Sequence, residues 1–295
     1  MNMIQIITNE ERVKTRLLSE PARWDTTIAD HEYHAITGMV SSHWLLEFEK
    51  SPYRFHRKFT GQIKFDTEKD CYRIGSALHA KVLEPHREIK IIPGVDGRTV
   101  EGKKIKAEFT ANLKPTEIAL PLKEYELVNR MFDELQSHPL ANELLFSDVK
   151  GQNEITGFST IGIDGLAAKC RIDRLLRGAI VDLKTAGDSS HIGFGYSADR
   201  FGYLFQGAFY QYMAKQIDRI QRDVFTVAVE NCDDDLPEIG VYQITQPILD
   251  KQLERLEVML DRLSRCWTSN HWPRQCVQIK EINVSNNYFD KKWRS

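Results

Sequence analysis

The amino-acid sequence predicts an α/β fold: a mixed central sheet flanked by helices and preceded by a helical N-terminal region. Strand-like segments gather between Glu154 and Ile244. Helical spacing of apolar residues prevails before them and returns after them. The third observation is the stretch 168–185, AKCRIDRLLRGAIVDLKT, which reads as two apolar strands joined at Arg177-Gly178. Arg171, Asp173 and Arg174 punctuate the first strand, and the second ends on Asp182-Leu183-Lys184.

In chain order, residues 1–36 are polar with scattered apolar positions, and 1–16 lack the apolar run of a signal peptide. After a loop at 37–42, Ser41 or Ser42 is expected to cap a helix over 43–50, with Trp44, Leu45 and Phe48 on its apolar face. Ser51-Pro52 stops it. Residues 53–59, YRFHRKF, form either an amphipathic helix with solvated cations or a surface for bases and phosphates. Residues 73–83 read as a helix on which Gly75 and His79, four apart, share a face. A helical glycine costs about 1 kcal/mol relative to alanine, so a close approach by a backbone or a ligand is expected there. A lone histidine among Ala77, Leu78 and Val82 is more often a core residue than a ligand.

Residues 86–122 mix charge, glycine and proline, with a turn at 95–98 and a basic run of Lys103, Lys104 and Lys106. That run is a solvated face or a track for a phosphate backbone. Helices are expected over 122–135 and 140–145, separated by Ser137-His138-Pro139. Residues 153–158 form a short strand that 160–164 continues after a bend, with Asp164-Gly165 as a hairpin turn. A loop at 185–196 leads to a helix at 200–215 carrying Gln206 and Tyr210 on one face. Strands at 223–230 and 239–244 flank Asp233-Asp234-Asp235, a solvated turn. A long leucine-spaced helix over 248–267 is closed by Trp272-Pro273, and the tail 282–295 is polar. The expected organisation is one domain over 1–295: a mainly helical part to 150, a sheet and helix over 151–245, and a helix and tail from 246.

Composition narrows the classes. The chain has 295 residues and no apolar run of the roughly 18 that a membrane span needs, which makes the cytoplasm the expected compartment. Its five cysteines form no C-x-x-C pair, which disfavours a zinc site, a disulfide frame or an iron–sulfur cluster. A net charge of −2 does not exclude nucleic acid, because an acidic metal site offsets a local basic surface.

Asp182 and Lys184 alternate with Leu183, so two acidic residues and a lysine gather at the end of the strand pair, at an expected sheet edge. Burying them costs several kcal/mol unless a partner such as a divalent cation offsets the charge. Carboxylates that hold such a cation, with a lysine beside them, suit phosphodiester hydrolysis. The spacing alone also fits a salt-bridged sheet edge.

Taken together, these segments resemble the PD-(D/E)XK nucleases. Asp173 followed by Asp182-Leu183-Lys184 is similar to their core, although Ile172 stands where a proline is expected. Gly75-Ser76-Ala77-Leu78-His79 resembles the G-x-x-x-H motif of the RecB-type branch, Glu154 its first-strand glutamate, and Gln206 to Tyr210 its Q-x-x-x-Y motif. Ser51-Pro52, GSALHAKVLEP and KCRIDRL are similar to the exodeoxyribonuclease VIII nucleases and their phage and prophage relatives, over about 33–272. The resemblance implies a restriction-endonuclease-like core. It implies that His79, Asp173, Asp182 and the Leu183 carbonyl hold Mg²⁺, with Mn²⁺ as a substitute. Lys184 would position or activate the attacking water, Glu154 assist at the metal, and Gln206 and Tyr210 orient substrate or the lysine. It also implies 5′-to-3′ digestion of double-stranded DNA ends, a 3′ single strand left for recombination or repair by an annealing protein, and a homo-oligomeric ring. The rival expectations are a single-strand or endonucleolytic member of the superfamily and a non-catalytic DNA-binding or structural module whose carboxylates are merely salt-bridged to Arg171, Arg174 or Arg177.

Overall fold

The computed structural model describes residues 22–63, 71–96, 98–114, 116–147, 150–232 and 236–275. The polar start 1–16, the acidic run Asp233-Asp234-Asp235 and the tail 282–295 lie outside the described residues. Eight strands are described: β1 (Arg23–Asp25), β2 (Ile89–Ile91), β3 (Ile118–Leu120), β4 (Gln152–Ile161), β5 (Leu166–Leu175), β6 (Ala179–Ala186), β7 (Asp223–Glu230) and β8 (Ile239–Ile244). Six of them form one sheet in the order β1-β4-β5-β6-β7-β8. Only β6 and β7 run parallel in it, the other neighbours being antiparallel. The sheet is therefore mixed, and β5 and β6 lie in its middle, which corrects the expected sheet edge.

Helices cover both faces. On one face α2 (Ser42–Lys50), α3 (Pro52–Phe59), α9 (Tyr203–Asp218) and α10 (Gln246–Ser269) bury Leu45, Phe48, Phe55, Phe205, Phe209 and Leu256 against Ile155, Ile172 and Ile180. On the other, α4 (Cys71–Leu83), α6 (Leu122–Ser137) and α7 (Pro139–Phe146) bury Leu78, Leu127, Met131 and Leu145 against Val181, Leu183, Val227 and Val229. Strand β6 alternates as a half-and-half strand should, with Ile180 in the first core and Val181 and Leu183 in the second. Strand β5 does not: Cys170, Ile172 and Leu175 all enter the first core, so its two-residue period slips between 172 and 175. Asp173 sits at that slip.

Several elements differ from the sequence expectation. Strand β1 and the six-residue α1 (Asp30–Ala35) were not expected, being too short to show a period. Lys169, inside the sheet, holds α1 by its last turn, donating to the carbonyls of Tyr33 (2.5 Å) and Ile36 (2.9 Å). The basic run lies on α5 (Val100–Ala111), a helix that crosses between the parallel pair β2 and β3. Strand β4 is continuous rather than bent, and a four-residue turn from Gly162 to Gly165 replaces the two-residue hairpin. The expected loop at 185–196 contains the start of α8 (His191–Phe201). Gly193 and Gly195 lower its intrinsic propensity, but the Ser190 hydroxyl caps it (3.2 Å from the Gly193 N–H) and Phe194 and Ala198 are buried. The helix expected over 200–215 is two: Gly202, at φ 77°, separates α8 from α9, and a Cβ there would come within 2.6 Å of Leu46.

Candidate metal centre and active site

Asp173 is the hub. Registered pairs between β4 and β5 flank Glu154 and Asp173 but omit them, and those between β5 and β6 stop at Arg174–Val181, one position short of Asp173 and Asp182. The ladder thus opens on both sides of Asp173. Its Oδ2 accepts the Leu183 N–H at 2.7 Å, replacing a strand carbonyl. Helix α4 crosses above and sends in His79, whose Nε2 lies 2.8 Å from the Leu183 carbonyl oxygen. An imidazole nitrogen facing a carbonyl at that distance carries the proton and donates. That leaves Nδ1 turned to two carboxylates, Glu154 Oε1 at 3.7 Å and Asp173 Oδ2 at 3.8 Å. Donor atoms of His79, Glu154 and Asp173 lie within 4.8 Å of one another. Glu154 reaches this position with φ 49°, a left-handed conformation that costs a non-glycine residue about 1–3 kcal/mol. The Arg171 Nε donates to its Oε2 at 2.6 Å.

The second part of the site is the Asp182–Lys184 pair. The ammonium lies 2.8 Å from both oxygens of Asp182 and 5.1 Å from the centre of the Tyr203 ring. Gln206 donates to the Tyr210 hydroxyl at 2.7 Å. Burial raises the pKa of Asp173 and lifts Asp182 to about 6. Burial would discharge His79, but the charges of Asp173 and Glu154 outweigh it and hold the ring at about 9. Burial likewise opposes the Lys184 charge, and Asp182 with Asp173 reverses that, raising the lysine above its ordinary value. The Tyr210 phenol is held neutral by burial and then by the nearby carboxylates. Three carboxylates against Arg171 and Lys184 leave an excess negative charge at the opened ladder. A proton on His79 Nδ1 or a divalent cation offsets it, and one nitrogen with hard carboxylate oxygens is a donor set that fits such an ion.

All the residues singled out in the sequence, from His79 to Tyr210, lie on elements that meet at this opening. The grouping within them differs from the expectation. The convergent donors are His79, Asp173 and Glu154, whereas both Asp182 oxygens lie on Lys184 and the Leu183 carbonyl faces His79. The sequence offered Arg171 only as punctuation of the strand and as a candidate salt-bridge partner of the carboxylates, and it bridges Glu154. Its signal was the alternation of Lys169, Arg171 and Asp173 with the apolar Ala168, Cys170 and Ile172. Tyr203 gave no signal beyond its place at a helix start.

A family model described as a PDDEXK-like domain of unknown function (DUF3799) matches residues 41–284. No curated protein matches the chain. The crystal structure of a Eubacterium rectale protein named "Putative exonuclease" covers 100% of this chain and 99% of its own at a TM-score of 0.58 and 15% identity, a likeness of fold alone. A second solved structure, with 15% identity, covers 69% of this chain and 89% of its own at a TM-score of 0.31, too low to bear on the fold. Among the described residues no helix is long and apolar enough to cross a membrane.

Proposed function

The chain belongs to the PDDEXK-like family, and on that premise we propose that it is a metal-dependent deoxyribonuclease. The observation that carries the reading is the convergence of His79 Nδ1, Glu154 and Asp173 at a double opening of the sheet, beside a lysine held by Asp182. His79, Glu154 and Asp173 would hold Mg²⁺ or Mn²⁺, with Asp182 and the Leu183 carbonyl as further oxygen donors at its border. Such an ion neutralises charge at the phosphate and lowers the pKa of a coordinated water. Lys184, kept protonated by Asp182 and Asp173, acts as a hydrogen-bond donor that orients the water or offsets phosphate charge. Gln206 and Tyr210, joined by their hydrogen bond, orient the substrate or that lysine.

The finer reading is a cytoplasmic 5′-to-3′ exonuclease on linear duplex ends that leaves a 3′ single strand for an annealing protein, works as a homo-oligomeric ring and uses residues 1–295 as one nuclease domain. It rests on the motif resemblance, and the E. rectale neighbour's name agrees with the exonuclease part. Digestion of end-labelled linear duplex, with and without Mg²⁺ and beside a covalently closed circle, tests it. Mg²⁺-dependent loss of the 5′ label from the linear form alone is expected. Cutting of the circle would move the assignment to an endonuclease, and no cleavage of any DNA form with Mg²⁺ or Mn²⁺ would leave a binding module.

A further inference from the structure

Glu154 offers the centre only half of its carboxylate. Its Oε1 faces His79 Nδ1 at 3.7 Å, whereas its Oε2 accepts the Arg171 Nε at 2.6 Å. Arg171 itself is fixed at every end. It is 9% exposed, and one terminal nitrogen donates to the Ile28 carbonyl (2.9 Å) and to the Thr156 hydroxyl (3.1 Å). The other terminal nitrogen lies 3.9 Å from Glu84, and the Tyr33 ring sits 5.9 Å from the guanidinium carbon. Thr156 is also the cross-strand partner of Arg171 in the ladder, so the fork is anchored two positions beyond the opening. A planar guanidinium held this way fixes the oxygen it binds. Glu154 itself has a left-handed backbone, at φ 49°.

We propose that Arg171 is a positioning residue that makes Glu154 a one-oxygen donor and thereby sets the ion selectivity of the centre. The inference rests on the metal-dependent reading above. Ca²⁺ takes six to eight oxygens and accommodates carboxylates that chelate with both. Mg²⁺ and Mn²⁺ accept near-octahedral sets of single oxygens completed by water. A glutamate with one oxygen withdrawn serves the smaller ions and disfavours the larger. Removing Arg171 also deletes a positive charge beside the ion. That gain is common to all divalent cations and cancels in a ratio of affinities.

The test is calorimetric titration of the full chain with Mn²⁺ and with Ca²⁺, for the wild type, Arg171→Gln, Glu154→Gln and the double variant. Arg171→Gln is expected to shift the Ca²⁺-to-Mn²⁺ affinity ratio toward Ca²⁺ by about tenfold, the lower end of what outer partners of metal ligands contribute. In the Glu154→Gln background the same change is expected to leave the ratio within about twofold, since the oxygen to be released is gone. Arg171→Lys keeps the charge and loses the fork. It serves if the glutamine variant does not fold, and its shift is expected in the same direction. An unchanged ratio in a folded Arg171 variant, or an equal shift in both backgrounds, overturns the inference and leaves the nuclease reading standing. A wild-type chain that takes up neither ion overturns both.

Discussion

Strand β5 is bonded to its two neighbours in different ways. Against β4 nine positions are paired, and against β6 only two. The β4 side, closed but for the gap at Glu154 and Asp173, is ordinary sheet, with Ile155 opposite Ile172 and Gly157 opposite Cys170. On the open side the Leu183 N–H goes to a carboxylate and the Leu183 carbonyl to an imidazole. For the two Leu183 peptide groups the strand partner has been exchanged for ionisable side chains. The difference teaches where the chemistry lies. A closed ladder fixes the frame, and the place where it opens is the one that can hold an ion.

The largest effect is expected on the open side. Asp173→Asn keeps an acceptor for the Leu183 N–H but removes the charge that faces His79. Cleavage should fall by more than about a hundredfold, beyond the range of outer-partner effects. The melting temperature should stay within about 4 °C, because burial already disfavours the charged form of this group. Retained cleavage in a folded Asp173→Asn protein would separate the opening from the activity. The matching change on the closed side has the reverse signature. Ile172→Ala removes a fully buried side chain from the first core. It should cost about 2–5 kcal/mol in denaturant unfolding. If Ile172→Ala were harmless and Asp173→Asn unfolded the chain, frame and site would have to be exchanged.

The frame was more legible in the sequence than the site. Apolar alternation and leucine spacing located β7, β8, α2, α4, α6 and α10, because each is long enough for a period to show and buries one consistent face. Elements held by single contacts left no such trace. Strand β1 has three residues, α1 depends on Lys169 for its last turn, and α8 carries two glycines and is made helical by a cap and two buried side chains. The site was legible as residues and illegible as geometry. Motifs named His79, Glu154, Asp173, Asp182 and Lys184. That Asp182 binds Lys184 while Glu154 turns toward His79 depends on a backbone slip in β5 and a positive φ at Glu154, and neither has a compositional signature.

A smaller effect probes the outer part of the closed ladder. Lys169 is paired opposite Phe158, and its buried ammonium, pushed down to about 8, lies 4.2 Å from the Tyr33 ring. A lysine whose folded pKa is depressed destabilises the folded state while it is charged. That cost is fully present below about pH 8 and disappears as pH rises toward the ordinary value of 10.5. Two carbonyl acceptors and the ring favour the charge and limit the swing to about 1 kcal/mol. Wild-type stability, measured as its difference from Lys169→Met, should therefore rise between pH 8 and pH 10. A flat difference would mean that the segment over Lys169 is already loose.

The smallest effect tests how tightly α4 is held against the opening. Gly75 shares a face with His79, and the sequence suggested a close approach there by a backbone or a ligand. The geometry is milder: a Cβ at Gly75 would meet the Thr185 Oγ1 at 3.4 Å and its Cγ2 at 3.9 Å, the border of ordinary contact. Alanine gains about 1 kcal/mol of helix propensity, which a slight shift of the threonine would partly offset. Gly75→Ala is thus expected to change stability by less than about 1 kcal/mol, in the stabilising direction, with Mn²⁺ uptake intact. Gly75→Leu cannot be absorbed this way. It should cost about 1–3 kcal/mol and weaken Mn²⁺ uptake, because lifting α4 from β6 draws His79 Nε2 away from the Leu183 carbonyl. If alanine alone already weakened uptake, the distance between α4 and β6 would itself be part of the site, and the opened ladder would tolerate no slack on its helical side.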